Sequence, residues 1–311
     1  MQTNKHHLLM RGVIFGIVAA LIWGAFPVFT RFSMENQLTA YDIVALRFMV
    51  AGPILIFVLY KTGLCGVPVS AIVLMVCGAG VLYLLLVNIG LIYAPASHFG
   101  AITPSTMLIF STLGSYLWLG DKLNKSRISG VVIIVCGLIL ISWDGLNTPF
   151  GNAWIGDVLF VFGGLLWAAY TIATRYWKVD PLQAIAIVSV FSMLIYLPPY
   201  FFFAGSHLLE VPVFDVIFQA IFQGILSVLV ALLLYTKAVA ILGAAKAAVF
   251  AALVPGISVI FAIPILNEIP GPIQLLGIIL VTGGMLLALN FINFSVMLKR
   301  CFTMGRIPPK A

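Results

Sequence analysis

Ten stretches of about 20 residues, each almost free of charge, follow one another along this chain of 311 residues. About 20 apolar residues are the length that a helix needs to cross a bilayer. The strands of a membrane barrel would alternate polar and apolar residues, whereas these stretches are continuously apolar. The pattern predicts an all-α polytopic membrane protein with helices near 12–32, 42–60, 70–93, 97–119, 128–145, 154–177, 181–204, 214–240, 244–266 and 272–295.

The composition excludes a water-soluble protein. Charged residues make up only 8% of the chain and hydrophobic ones 63%, whereas soluble domains carry about 25% charged residues. No segment between the apolar stretches is long or polar enough for a soluble domain or a nucleic-acid-binding arm. The four cysteines form no CxxC pair, which argues against a thiolate metal site. The expected partners are therefore the lipid bilayer and a small molecule, without nucleic acid, metal or cofactor.

The positive charges indicate the topology. If the N-terminus is cytoplasmic, fourteen of the sixteen Lys and Arg residues lie on the inner side, and only Arg31 and Arg47 lie towards the outer side. An excess of positive charge in cytoplasmic loops is the rule for such proteins. We therefore predict cytoplasmic termini and a multi-pass location in a bacterial-type inner (plasma) membrane.

The chain repeats itself. "LIWGAFPVFTRF" (21–32) returns as "LLWAAYTIATRY" (165–176), and "GDKLNKSRISGVVIIVCG" (120–137) resembles "NEIPGPIQLLGIILVTGG" (267–284). Asp121 of the first copy thus corresponds to Glu268 of the second. These echoes predict one five-helix repeat over 12–145, a second over 153–297 and a cytoplasmic tail over 298–311.

An odd number of helices in each repeat makes the second copy enter the membrane from the opposite side. Arg31 then lies at the outer end of its helix, and its counterpart Arg175 lies at the inner end. Inverted repeats are a recurrent build of secondary transporters, with the substrate site near the midplane between the repeats.

These motifs resemble the EamA type of the drug/metabolite transporter superfamily. The residues that carry the resemblance are the W-x(7)-R helix ends, the "LGDKL" and "LNEIP" turns, and "LGAAKAAVFAALVPGISVIFAIPILNE" (242–268). The likeness covers roughly residues 12–295. It implies a ten-helix secondary transporter, of a kind that often exports amino acids or other small metabolites.

Two tryptophans lie deep in their spans, away from the interfaces where tryptophans usually sit. Trp23 and Trp167 lie at corresponding positions in the first helix of each repeat, and each needs a partner for its indole N–H. One interpretation is core packing; the other is that both line a central cavity. On the second interpretation the candidate substrate residues are Trp23, Tyr83, Asn88, Trp167, Tyr170, Thr171 and Gln223.

Arg47 is a charged residue inside the membrane. Thr39 and Asp42 resemble a capping box that opens the second helix, which puts Arg47 roughly 12 Å into that helix. An arginine there costs at least ~2.5–3.5 kcal/mol unless it is paired or hydrated. Asp157 begins the sixth span at a comparable depth, so we predict an Arg47–Asp157 ion pair or gate. The alternative is that Arg47 snorkels to the outer interface.

His98 opens the fourth span and is a candidate for proton coupling, because an imidazole changes its charge near neutral pH. A hydrogen-bonded interfacial histidine is the plainer interpretation. A coupling cation other than the proton is equally compatible with the sequence.

The leading functional hypothesis is a secondary transporter that exports a small amphipathic metabolite, an amino acid in particular, by alternating access. The alternative substrate is a quaternary-ammonium or drug-like cation held by aromatic rings. An intramembrane enzyme is disfavoured because no HExxH or GxSxG motif occurs. A primary pump would need a phosphate-binding loop that the sequence lacks. A channel usually builds its pore from several subunits.

Overall fold

The computed structural model describes residues 2–64, 66–145, 152–203 and 205–289. Within these ranges every regular element is helical. The helices are α1 (Gln2–Glu35), α2 (Ala40–Thr62), α3 (Val69–Ala79), α4 (Val81–Tyr93), α5 (Ala96–Leu119), α6 (Lys125–Gly145), α7 (Ala153–Tyr176), α8 (Pro181–Phe203), a 3-10 turn (Gly205–Leu209), α9 (Val213–Ile221), a π-helix (Phe222–Val230), α10 (Ala231–Leu242), α11 (Ala244–Ala252), α12 (Val254–Leu266) and α13 (Pro272–Ala288).

These elements correspond to the ten predicted spans, but α1 begins ten residues before the predicted start of its span, and residues 290–295 of the last predicted span lie outside the described residues. The third span comprises α3 and α4, the eighth comprises α9, the π-helix and α10, and the ninth comprises α11 and α12. Eight described helical stretches are long and apolar enough to cross a membrane. The other two spans are α5, which is rich in serine and threonine, and the shorter apolar helix α13. The all-helical membrane fold is confirmed; the tail over 298–311 lies outside the described residues.

The predicted capping box is present at the start of α2. The Thr39 hydroxyl accepts a hydrogen bond from the Asp42 backbone N–H, and the Asp42 carboxylate accepts one from the Thr39 N–H at 2.8 Å. These two bonds satisfy N–H groups that the first turn of a helix leaves without partners. The cap fixes where α2 begins and therefore how deep Arg47 lies.

The third span of each repeat is irregular about halfway along. Gly80 interrupts the first one, eleven residues after Val69, and a Cβ at this position would lie 2.3 Å from the Val76 carbonyl oxygen. Only glycine fits such a backbone. In the second repeat the π-helix begins nine residues after Val213. Matching interruptions in the two halves of a transporter point to its binding site.

The last spans of the two repeats pack backbone against backbone. Ideal Cβ atoms on Gly130 and Gly137 would lie 2.6 Å from Gly284 O and 2.7 Å from Gly277 O, respectively. Gly130 corresponds to Gly277 in the duplication, and Gly137 corresponds to Gly284. Gly130 therefore contacts Gly284, the counterpart of Gly137. In the same way Gly137 contacts Gly277, the counterpart of Gly130. A two-fold axis produces this exchange of contacts, as the inverted repeat requires.

This packing yields a stability prediction. Gly137→Ala should lower the melting temperature of the purified protein, because the new methyl group meets main chain that has no room to move. Overpacking of this kind costs about 1–3 kcal/mol. Gly283→Ala is the matched control, since a Cβ there meets nothing within 4 Å and alanine is the better helix former. Equal effects of the two substitutions would contradict the close crossing of α6 and α13.

Candidate functional site

The π-helix and the turn before it present polar side chains to α1 and α2. Gln219 donates hydrogen bonds to Phe29 O at 2.6 Å and to Ser33 Oγ at 2.7 Å. Gln223 donates to Thr30 Oγ1 at 2.9 Å. A π-helix is rare and is often found at functional sites. The side-chain amides of Gln219, at the end of α9, and Gln223, in the π-helix, therefore face the first two spans of the other repeat.

Arg47 completes this polar network. Its Nη1 donates to Gln223 Oε1 at 3.1 Å and to Ser227 Oγ at 3.3 Å, and its Cζ lies 6.0 Å from the centroid of the Phe26 ring. The residue is only 7% exposed. Arg47 therefore does not snorkel in this structure; it is buried with partners from the second repeat.

Gly224 lets α2 approach the π-helix closely enough for these bonds. A Cβ on Gly224 would lie 2.5 Å from Val50 Cβ and 3.4 Å from Arg47 O. Gly224 stands eleven residues after Val213, just as Gly80 stands eleven residues after Val69. The two glycines thus occupy matching places in the two repeats but have different roles. Gly80 interrupts its helix, and Gly224 lets α2 come close.

Three of the candidate aromatic residues form one continuous wall. Tyr83, just after the break at Gly80, lies edge-to-face with Trp167, with ring centroids 4.8 Å apart. Trp167 in turn contacts Tyr170 at 5.7 Å.

Arg47 lies on α2, which contacts α4, the helix that carries Tyr83. Phe26, whose ring centroid is 6.0 Å from Cζ of Arg47, belongs to the same buried apolar cluster as Tyr83. The wall and the arginine therefore lie in the same part of the core.

The remaining candidate substrate residues lie apart from this wall or have local roles. Trp23 packs against Tyr235, with ring centroids 5.2 Å apart. The Thr171 hydroxyl donates to Trp167 O, one turn back in its own helix. Asn88 is buried, and its amide lies 3.5 Å from Ala40 O. The contacts of the two tryptophans thus differ, and the ring contacts of the described residues do not join them.

The predicted Arg47–Asp157 pair is not formed. Asp157 Oδ1 lies 2.7 Å from Nδ1 of His98, whose side chain is fully buried. The reason is the direction in which the helices face: α7 packs against α3, α4 and α5, whereas α2 packs against α8 and the π-helix. Equal depth brought the two charges to the same level of the membrane but not to the same side of their helices.

Two ion pairs join the repeats at opposite ends of the spans. Named by the predicted topology, the outer ion pair is Arg31 Nε with Glu268 Oε1 at 3.1 Å, and the inner ion pair is Arg175 Nη2 with Asp121 Oδ2 at 3.1 Å. Both arginines end corresponding helices, and both acids sit in corresponding turns. Each arginine therefore bonds to the acid of the other repeat, which is a second instance of two-fold exchange.

The two pairs differ in exposure. The side chains of Arg31 and Glu268 are 13% and 12% exposed, but those of Arg175 and Asp121 are 51% and 31% exposed. Arg31 also donates to Leu91 O and Ala94 O, and Glu268 accepts from the Ala96 N–H at 2.9 Å. The outer ion pair therefore belongs to a largely buried network, and the inner ion pair belongs to a more open one.

Burial raises the pKa of the Glu268 carboxyl above its ordinary value. The positive charge of Arg31 and the N–H groups of Ala96 and Ser97 act in the opposite direction without cancelling the effect. Glu268 consequently takes up a proton at a higher pH than an exposed glutamate does, and protonation removes one of the two carboxylate charges beside Arg31, the other being that of Glu35.

A cavity of about 430 Å³ lies at the outer end, between α1, the start of α2 and the end of α4. Arg31, Thr39 and Leu91 line it, together with Met34, Glu35, Leu38, Ala40, Tyr41 and Ile92. None of the candidate substrate residues borders this cavity. Among the described residues no three or more His, Cys, Asp or Glu side chains are grouped to hold a metal ion.

Gln219, like Gln223, is a polar group that the sequence offers as a ligand contact or a bridge between helices, but sequence reasoning missed Ser227, although a signal was present. Polar residues four apart, at 219, 223 and 227, interrupt an otherwise apolar span. Side chains at that spacing share one helix face. The cross-repeat ion pairs also carried a signal, because the inverted topology put each arginine and its acid on the same side of the membrane.

Relatives of known sequence share nearly the whole chain. An uncharacterized transporter of Archaeoglobus fulgidus is 27% identical over 297 residues, which is 92% of this chain and 98% of that protein. The uncharacterized transporter YetK of Bacillus subtilis (strain 168) is 25% identical over 264 residues, which is 81% of this chain and 78% of YetK.

A protein crystal structure has the same fold, with a TM-score of 0.58 at 17% identity over 89% of this chain and 96% of that one. The model of the EamA-like transporter family matches twice, over residues 10–143 and 154–290. The two matches coincide with the two halves joined by the exchanged glycine contacts and ion pairs. The chain is a multi-pass membrane protein that belongs to the EamA-like transporter family.

Proposed function

We propose that this transporter is a secondary active exporter that moves a small amphipathic metabolite, an amino acid in particular, across the inner membrane by alternating access. The single observation that carries the proposal is the unequal burial of the two symmetry-related ion pairs. We call the outer and inner ion pairs the two locks, because each holds the repeats together at one end. A transporter that exposes its central site to one side at a time needs one lock closed and the other open.

In this proposal the outer ion pair closes the outer end and the exposed inner ion pair marks the side that opens. The opposite state exchanges the two roles, because the repeats are equivalent in design. The substrate site between the ends comprises Arg47, Gln223 and the wall of Tyr83, Trp167 and Tyr170. The break at Gly80 and the π-helix support this assignment, because transporters often bind their substrates where membrane helices are interrupted.

The second candidate substrate is a quaternary-ammonium cation bound through cation–π contacts. The grouping of Tyr83, Trp167 and Tyr170 favours it, since such rings attract cations. The guanidinium of Arg47 in the same part of the core opposes it, because like charges repel strongly where water is scarce. An acidic or zwitterionic substrate is therefore the better match to this site.

We propose the proton as the coupling ion, with the His98–Asp157 pair as its carrier. The two side chains are buried at the outer end, and each keeps one polar atom, His98 Nε2 and Asp157 Oδ2, without a hydrogen bond in the described part of the chain. The free atoms of the pair offer a place for a transported proton. Because the pair lies between α5 and α7, binding of that proton would change how these two helices pack.

Neutralising either lock should shift the balance between the two states. Removal of one charge from a largely buried ion pair that only one state contains should shift the equilibrium by about 1–3 kcal/mol, a factor of roughly five or more. Glu268→Gln should therefore speed maleimide labelling of an Ala153→Cys reporter, buried at the outer end of α7, and slow that of an Ala173→Cys reporter, buried at the inner end of the same helix. Each reporter is placed in an otherwise cysteine-free chain.

Asp121→Asn should act in the opposite direction and more weakly, because its pair is more exposed and exposed pairs contribute less. Lys61→Gln, at the exposed end of α2, is the control for a charge change without a lock. Labelling rates that rise together at both ends would indicate loosened folding, and the alternating-access proposal would then be wrong.

Asp157→Asn should separate coupling from substrate movement. The variant should retain exchange of labelled for unlabelled substrate across proteoliposomes, because exchange needs no net proton transfer. It should lose accumulation driven by a pH gradient. His98→Gln should behave alike, and the double variant should be no worse than either single one. Normal pH-driven accumulation in Asp157→Asn would rule out this carrier.

A further inference from the structure

Arg47 is a buried cation whose partners are all neutral. Its hydrogen bonds go to an amide oxygen and a hydroxyl, Gln223 Oε1 and Ser227 Oγ. Within the described ranges no ion pair includes it. The acid one turn before it, Asp42, is already engaged by Thr39, Tyr200 and His207. A desolvated guanidinium without a counter-charge is costly, so the site favours an anion.

The unused part of the guanidinium has a definite shape. An arginine carries five N–H donors, and Nη1 of Arg47 donates both of the hydrogen bonds described above. The N–H of Nε and those of Nη2 have no protein acceptor in the described part of the chain. These groups form one edge of the fork, the edge that binds a carboxylate side-on through two parallel hydrogen bonds.

Aromatic rings surround the Arg47 side chain. The ring centroid of Phe26 lies 6.0 Å from Cζ of Arg47, and Phe26 belongs to the same buried cluster as Tyr83. Tyr83 leads on to Trp167 and Tyr170 through edge-to-face contacts. A ligand with a carboxylate at one end and an apolar or aromatic body at the other would satisfy both the charge and the wall.

We propose that Arg47 binds the carboxylate of the transported substrate through its Nε and Nη2 groups, with Tyr83, Trp167 and Tyr170 around the substrate's apolar body. The substrate class is thus amphipathic carboxylates, which includes amino acids with large apolar side chains. This inference rests on the proposed transport function and narrows it. Gln223 and Ser227 are positioning residues, since they hold Nη1 and so set the direction of the free edge.

Matched ligand pairs test the carboxylate directly. The purified full-length protein is titrated with 3-phenylpropionate and 3-phenylpropionamide, with L-phenylalanine and L-phenylalaninamide, with L-leucine and L-leucinamide, and with benzyltrimethylammonium. Each carboxylate should bind at least about tenfold more tightly than its amide, as expected for hydrogen bonds to a charged group. Benzyltrimethylammonium should bind more weakly than any of the carboxylates.

Variants assign the preference to Arg47. Arg47→Gln should bring each carboxylate to the affinity of its amide, while Lys61→Gln, which removes a charge from the exposed end of the same helix, should leave the preference unchanged. Arg47→Lys keeps the charge but lacks the fork, so it should retain only part of the preference. If Arg47→Gln does not fold, the partial loss in Arg47→Lys decides the matter.

Equal binding of carboxylates and amides, tighter binding of benzyltrimethylammonium, binding of no carboxylate at all, or a full preference in Arg47→Lys would each overturn the inference. The labelling of the two ends needs no ligand. Reciprocal labelling without carboxylate preference would therefore leave alternating access standing and remove only the assignment of Arg47.

Discussion

The burial of one guanidinium inside the membrane constrains the whole centre of this transporter. Arg47 is held two turns into α2 by the capping box at Thr39 and Asp42, so it has no route to the interface by a shift of the helix start. Its partners come from the opposite repeat, at Gln223 and Ser227. Gly224 provides the space, and Thr30 orients the Gln223 amide. A single charge thus joins three spans and both repeats.

The spans and the duplication could be predicted from the sequence because both depend on distance along the chain. A bilayer fixes helix length, and the recurrence of Trp23 and Arg31 as Trp167 and Arg175 is visible without coordinates. The capping box was predictable for the same reason: its two residues are three apart and form their bonds locally.

Contacts between helices were harder to predict, because depth along a helix says nothing about the side that faces a neighbour. Arg47 and Asp157 lie at similar depths, yet Asp157 faces His98 on α5. Trp23 and Trp167 are equivalent in sequence, yet one packs on Tyr235 and the other on Tyr83 and Tyr170. The π-helix adds a further reason, since its wider turn changes the direction of every following side chain, and no local residue type announces it.

The crossing of α6 and α13 has a mechanical consequence. Its four glycines bring main chain to main chain, and the side chains of Ile134, Ile141 and Val281 pack directly against them, so the interlocked helices resist sliding along each other. We expect α6 and α13 to keep their mutual position while the other helices move. The bending points would be the interrupted spans, which are at Gly80 in the first repeat and at the π-helix and Leu253 in the second. Rotation of the two halves about a stationary pair of helices would let the protein open one end as it closes the other, with neither repeat leaving its partner.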